Sequence, residues 1–236
     1  VVIEALGFLT VLGRAERPTP ATLRWFPLAG LLIGAAVGLV WWLAGQAWSA
    51  GVAAALALVA DLALTGLLHL DGLADSADGL LPHLPRERRL TVMAEPGVGA
   101  FATAAVGAAL LLRWSALAAH APDVLLLAAL WCGSRTLMAA TVGTLPYVRA
   151  EGGLVTTFQG QGDGWVLALL GGAGALVVGG AADGVGGVVA VLGALAAGIG
   201  VLALGRRQLG GYTGDVLGAA GVVAETVGLV LAAAHW

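Results

Sequence analysis

DVLLLAALWCGSRTLMAATVGT, residues 123 to 144, is an apolar run broken by a single cation. A bilayer-spanning helix needs roughly 20 such residues, so this stretch reads as a span. Arg135 is twelve residues from both Asp123 and Tyr147, about 18 Å of helix either way, which puts it near the midplane. A charge at that depth needs a partner, and Asp61 in a neighbouring apolar run is the candidate. The other reading places Arg135 on the floor of a cavity, where it meets an anionic substrate.

The rest of the chain agrees with a membrane setting. Hydrophobic residues make up 59% and charged residues 11%, with 38 glycines, and the mean hydropathy is +0.95. These values lie outside those of ordinary soluble domains. The net charge of -3 excludes a strongly basic nucleic-acid binder, and all 11 basic residues are Arg. Cys132 is the only cysteine, so one chain builds neither a disulfide nor a zinc cluster. Val1 to Leu12 is too short to span and lacks a signal-type cleavage pattern.

Seven stretches are expected to span: Trp25 to Ala44, Ala47 to Leu68, Gly99 to Ala119, Asp123 to Thr144, Trp165 to Ala182, Val185 to Leu204 and Val216 to Ala234. The fifth and sixth are Gly-rich and equally read as one irregular hairpin. The expected fold is therefore an all-α polytopic helix bundle forming a single integral membrane domain over residues 1–236. Arg14, Arg17, Arg24, Arg86, Arg88, Arg89, Arg149, Arg206 and Arg207 all fall between spans on one side. The positive-inside rule makes that side, and the N-terminus, cytoplasmic. The opposite connections are a few residues long, so function belongs to the inner face. Arg113 near the outer end of the third span is expected to snorkel.

Three polar islands lie on that face. The first, DGLADSADG from Asp71 to Gly79, spaces three carboxylates at i, i+4 and i+7, one acidic stripe if helical. Divalent cations relieve the repulsion within such a stripe, and Mg²⁺ completes its shell with water and substrate phosphate. The small residues between the carboxylates leave the backbone open to a bulky ligand. His69 just before them is either an interfacial hydrogen-bonder or a base. The second island, GGYTGD from Gly210 to Asp215, makes either a phosphate-meeting turn or a helix cap, with Asp215 as N-cap or fourth metal carboxylate. The third, LPYVRAEGGL from Leu145, offers Tyr147, Arg149 and Glu151, with Arg149 suited to a phosphate oxygen.

Together these islands resemble the cobalamin synthase family, the adenosylcobinamide-GDP ribazoletransferases. LTGLLHLDGLADSADGLL from Leu64, RWFPLAGLLIG from Arg24, RERRLTVM from Arg86, GAF from Gly99, SR at Ser134, PYVRAEGGL from Pro146 and GGYTGDVLGA from Gly210 carry the resemblance, with Glu225 beyond them. MAEPGVGAF departs from the family pattern, since Ala94 and Gly97 are neutral and Glu95 stands for the usual Asp. The resemblance implies a Mg²⁺-dependent enzyme of the bacterial inner membrane. It joins adenosylcobinamide-GDP to alpha-ribazole or its 5′-phosphate and releases GMP, at the end of nucleotide-loop assembly in cobalamin biosynthesis. It implies Asp71, Asp75 and Asp78 for metal and catalysis, with Asp215 and Glu95 as further ligands and His69 as a possible base. Arg135, Arg149, Tyr147, Thr213 and Gly214 are the implied substrate contacts. The partners are the two substrates and the bilayer, with room for a homo-oligomer and none for nucleic acid.

Two rivals are weaker. A CDP-alcohol phosphotransferase expects D-G-x-x-A-R with further Asp at four-residue spacing. Here Asp75 and Ser76 occupy the Ala and Arg positions, and no Asp follows Asp78 before Asp123. A transporter would use Asp61 and Arg135 as an intramembrane ion path, with inverted repeats that this chain does not display.

Overall fold

The computed structural model describes residues 1–13, 19–149, 158 and 164–234. Among them helix is the only regular secondary structure, apart from one isolated bridge between Tyr147 and Tyr212. The helices are α1 (Val2–Leu9), α2 (Phe26–Ala47), α3 (Ala50–Thr65), α4 (Leu68–Leu80), α5 (Arg86–Val92), α6 (Ala100–Ala119), α7 (Val124–Val142), α8 (Gly164–Leu209) and α9 (Gly214–Ala232). A 3₁₀ segment, Pro20–Trp25, leads into α2.

Five of these are long and apolar enough to cross a membrane, or six if the bent pair α3 and α4 counts as one span. Each of the seven expected stretches is mostly helical, and the lower count has two local causes. Inside α8, Asp183 and Gly184 leave helical geometry, with Gly184 at φ 53°. The chain doubles back there: a Cβ on Gly180 would stand 3.3 Å from Val188, and one on Gly179 only 3.0 Å from the Gly187 carbonyl oxygen. The fifth and sixth stretches are thus one glycine-packed hairpin broken between Ala182 and Val185. The second stretch ends early instead. Gly66 (φ 58°) and Leu67 (φ 61°) are both left-handed, and α4 leaves α3 at 89°. A left-handed non-glycine residue costs on the order of 1–3 kcal/mol, so the surrounding packing enforces this corner.

α7 sits at the centre, buried over almost its whole surface, with α2, α8 and α9 against it. The α2 contact is close because Gly30, Gly34 and Gly38 recur every four residues. Cβ atoms there would collide with the Trp131 carbonyl and the Leu127 carbonyl and stand 2.8 Å from Val124 Cα. Small residues that let helix backbones touch are the usual means of packing in lipid, where the hydrophobic effect does not drive helices together. Leu111, Leu170, Val177 and Val185 lie on the outside, as a lipid-facing surface requires.

Candidate active site

The acidic segment is helix rather than loop. α4 leaves α3 at a sharp bend and packs on α9 and α6, with its C-terminal half beside the N-terminus of α6. Its small residues make that packing possible. A Cβ on Gly72 would come 2.8 Å from the Asp215 carbonyl oxygen, and one on Gly79 would run into Met93. The expectation that they leave backbone open to ligand is not met, because helices fill the space.

A second arrangement brings the other two islands together. Val148 N–H donates to the Tyr212 carbonyl and Tyr212 N–H to the Pro146 carbonyl, both at 3.0 Å. Gly211 permits this, since a Cβ there would collide with the Pro146 carbonyl. The clip stacks Tyr147 edge-on to Tyr212 at 5.5 Å and delivers Arg149 to Asp215, Nη2 to Oδ2 at 2.6 Å. Thr213, not Asp215, caps α9, its hydroxyl accepting from Val216 N–H at 3.2 Å.

Between these parts lies a cavity of about 170 Å³ whose polar wall is His69, Asp71, Tyr147, Arg149, Gly214 and Asp215. Its apolar lining includes Phe8, Phe26 and Phe158, which pack tilted or edge-on with centroids 5.2–5.7 Å apart. Thr22 holds α1 over this lining by donating to Glu4 at 2.8 Å. Burial raises the Tyr147 hydroxyl and pushes that of Tyr212 up to about 12, so both stay neutral. Burial, then the charges of Asp215 and Asp71, push Asp75 up to about 6 despite Arg149.

The expected site residues therefore divide. His69, Asp71, Tyr147, Arg149, Gly214 and Asp215 share the cavity, with Asp75 in electrostatic reach. Asp78 is turned away: its carboxylate accepts from Gly99 N–H at 2.6 Å and Ala102 N–H at 2.9 Å, capping α6. Glu95 is half exposed and paired with Arg88 at 2.7 Å. Glu151 lies outside the described residues. Among the described residues no three His, Cys, Asp or Glu side chains stand close enough to hold an ion between them. The donors fit Mg²⁺ in its ordinary mode, one or two carboxylates with water and substrate oxygens completing the shell. Asp71 and Asp215 are hard oxygen donors on one cavity, and Asp75 is short of counter-charge.

Arg135 does not pair with Asp61 and does not reach this cavity. It is 1% exposed and bonds to Glu225 and Ser134. Asp61 instead binds Arg113 at 3.1 Å and accepts from Trp131 Nε1 at 3.0 Å. Arg113 does not snorkel: it also holds Glu225 at 2.6 Å, Thr226 at 2.9 Å and the Val222 carbonyl at 3.1 Å. Two arginines and two carboxylates thus cancel inside the bundle, and the void beside them, about 10 Å³, is no ion path. The overlooked signal was Glu225 lying mid-span, a fourth charge that balances the sum.

The fold and the cavity define a class: a polytopic helical membrane protein whose chemistry-bearing side chains gather at one end of its bundle. Within that class, the chain belongs to the family described as Cobalamin-5-phosphate synthase, whose model matches residues 1–233. The adenosylcobinamide-GDP ribazoletransferase of Chlorobaculum parvum is 37% identical across 100% of this chain and 95% of its own. The protein of the same name from Roseiflexus sp. is 39% identical across 96% and 86%. No solved structure matches the chain.

Proposed function

We propose that the protein is a Mg²⁺-dependent adenosylcobinamide-GDP ribazoletransferase of the bacterial inner membrane, its cavity facing the cytoplasm. The observation that carries this reading is the convergence of Asp71, Asp215 and Arg149 on one cavity, in a chain that aligns end to end with relatives named for that activity. The concentration of Arg in the segments on one side supports the orientation.

In the proposed reaction a ribose hydroxyl of alpha-ribazole, or of its 5′-phosphate, forms a new P–O bond to the phosphorus on the cobinamide arm. The pyrophosphate P–O bond breaks and GMP leaves with the electron pair. Most of the catalysis asked of the protein is positioning and neutralisation of charge on the phosphates. Asp71 and Asp215, with Asp75 beside them, would hold Mg²⁺, which supplies Lewis-acid stabilisation of the pyrophosphate when bound. Arg149 exchanges its hold on Asp215 for a phosphate oxygen, and the neutral Tyr147 hydroxyl donates to the same anion. A cavity of about 170 Å³ is small beside typical ligand pockets of roughly 300–1,000 Å³, so it takes the reacting phosphate and ribose while the corrinoid stays outside. The carboxylate of Asp71, which lines the cavity, would take the hydroxyl proton.

The test is turnover by purified protein in detergent. Adenosylcobinamide-GDP, alpha-ribazole 5′-phosphate and Mg²⁺ should yield cobamide phosphate and GMP in equal amounts, and addition of EDTA should stop it. A folded preparation that makes no GMP would overturn the assignment.

A further inference from the structure

His69 stands between two voids. On one side it lines the functional cavity. On the other it lines the small void of about 10 Å³ beside Asp61, Thr65, Arg113, Arg135 and Glu225. Both residues at issue are deeply buried, His69 at 7% and Arg135 at 1% exposure. Among the described residues, two buried polar atoms of residues lining this second void have no hydrogen-bond partner: His69 Nδ1 and Arg135 Nε.

Arg135 Nε–H can only donate, so what meets it must accept. Imidazole Nδ1 can do either, according to the tautomer. Buried polar atoms rarely stay unpaired, and a polar void of about one probe sphere is the lower limit for one water. The Thr65 hydroxyl, which donates to the Asp61 carbonyl at 2.7 Å, keeps a lone pair free as a third partner.

We propose that the void holds one ordered water that accepts from Arg135 Nε–H and donates to His69 Nδ1, fixing the imidazole as the Nε2–H tautomer. Nε2 makes no hydrogen bond within the described protein and is not among the buried unpartnered atoms, so it is open to solvent. Of the two voids His69 lines, the functional cavity, about 170 Å³ against about 10 Å³, is the one with room for more than a single water. His69 is then a hydrogen-bond donor to a substrate oxygen, not a base. That role in turnover rests on the ribazoletransferase reading; the water and the tautomer do not.

Two measurements test it. Protein labelled with ¹⁵N-histidine, in detergent without substrate, gives long-range ¹H–¹⁵N correlations for its 4 histidines, with His69 assigned by its loss in His69→Gln. The expected pattern is protonated Nε2 and bare Nδ1. In Arg135→Lys, which keeps the charge but removes Nε–H, a mixture of tautomers is expected. An Nδ1–H tautomer or a mixture in the unsubstituted protein overturns the proposal, whatever the variant does. A tautomer unchanged in Arg135→Lys overturns the part played by Arg135. The role is read separately. His69→Gln keeps an N–H near the Nε2 position and cannot act as a base, so it should stay within about tenfold of full turnover, whereas His69→Leu should lose about 10²-fold, as expected on removing one donor to a developing charge. Equal losses in both would return His69 to the role of base. Absence of turnover in the unsubstituted protein would overturn the ribazoletransferase reading and leave the tautomer result standing.

Discussion

Gly72 of α4 and Gly218 of α9 meet backbone to backbone. A Cβ on Gly72 would stand 3.2 Å from Gly218 Cα, and one on Gly218 would stand 3.4 Å from Gly72 Cα. This crossing sets Asp71 and Asp75 beside Asp215, so a wedge placed here acts on the site through geometry. Gly72→Val is expected to cost about 1–3 kcal/mol of stability by overpacking, and turnover should fall by about 10²-fold because the carboxylates move apart. Gly107→Ala is the control, since nothing lies within 4 Å of a Cβ there. Thermal unfolding in detergent and GMP release read the two effects.

The carboxylates of one stripe should fail in different ways. Asp78 caps α6, so Asp78→Ala leaves Gly99 N–H and Ala102 N–H without an acceptor, at a cost of about 1 kcal/mol. Its turnover should remain measurable. Asp71 is exposed on the cavity, so Asp71→Asn should leave the melting temperature unchanged and lose at least about 10²-fold in turnover. If Asp78→Ala lost turnover as completely as Asp71→Asn with no change in melting temperature, Asp78 would be a metal ligand after all.

Residue spacing tells which face of a helix a side chain takes but not which neighbour it meets. Asp71, Asp75 and Asp78 do share α4, yet the N-terminus of α6 claims Asp78, and that contact is set by packing across 21 residues of chain. The hairpin break was legible because Asp-Gly at 183–184 is a turn dipeptide within an apolar run. The corner at Gly66–Leu67 was not, since leucine has no local reason to be left-handed. The interior charges were visible as a need for partners, but which arginine takes which carboxylate depends on helix rotation. Arg113 and Arg135 both end on Glu225, and Asp61 goes to Arg113.

Asp75 supplies a pH signature. Its carboxyl is pushed up to about 6 in the folded protein, against about 3.9 in an unfolded chain. The folded state therefore holds this proton more tightly. The resulting stabilisation is complete below about pH 4 and is lost as pH rises through about 6. Without divalent cations the melting temperature should fall between pH 5 and pH 7. Since a cation competes with the proton, Mg²⁺ should raise the melting temperature clearly at pH 7.5 and little at pH 5, its apparent affinity weakening up to about tenfold per pH unit below 6. Asp75→Asn should flatten both trends. Melting curves over a pH and Mg²⁺ grid check this, and a Mg²⁺ effect equal at both pH values would remove Asp75 from the site.

Glu225 tests whether the interior charges are held for neutrality. It is 2% exposed and faces both Arg113 and Arg135. Glu225→Gln leaves two guanidinium groups against one remaining carboxylate, Asp61, and breaking a buried pair in this way costs about 3–5 kcal/mol. Little folded protein is expected from this variant. Removing the surplus cation as well, in Glu225→Gln with Arg135→Met, restores the balance of Arg113 against Asp61 and should recover much of the folded yield. Size-exclusion profiles and melting temperatures of the single and double variants measure the coupling. If the double variant is no better than the single, the specific hydrogen bonds of Glu225 to Ser134 and Arg113 hold the bundle together, and charge balance is secondary.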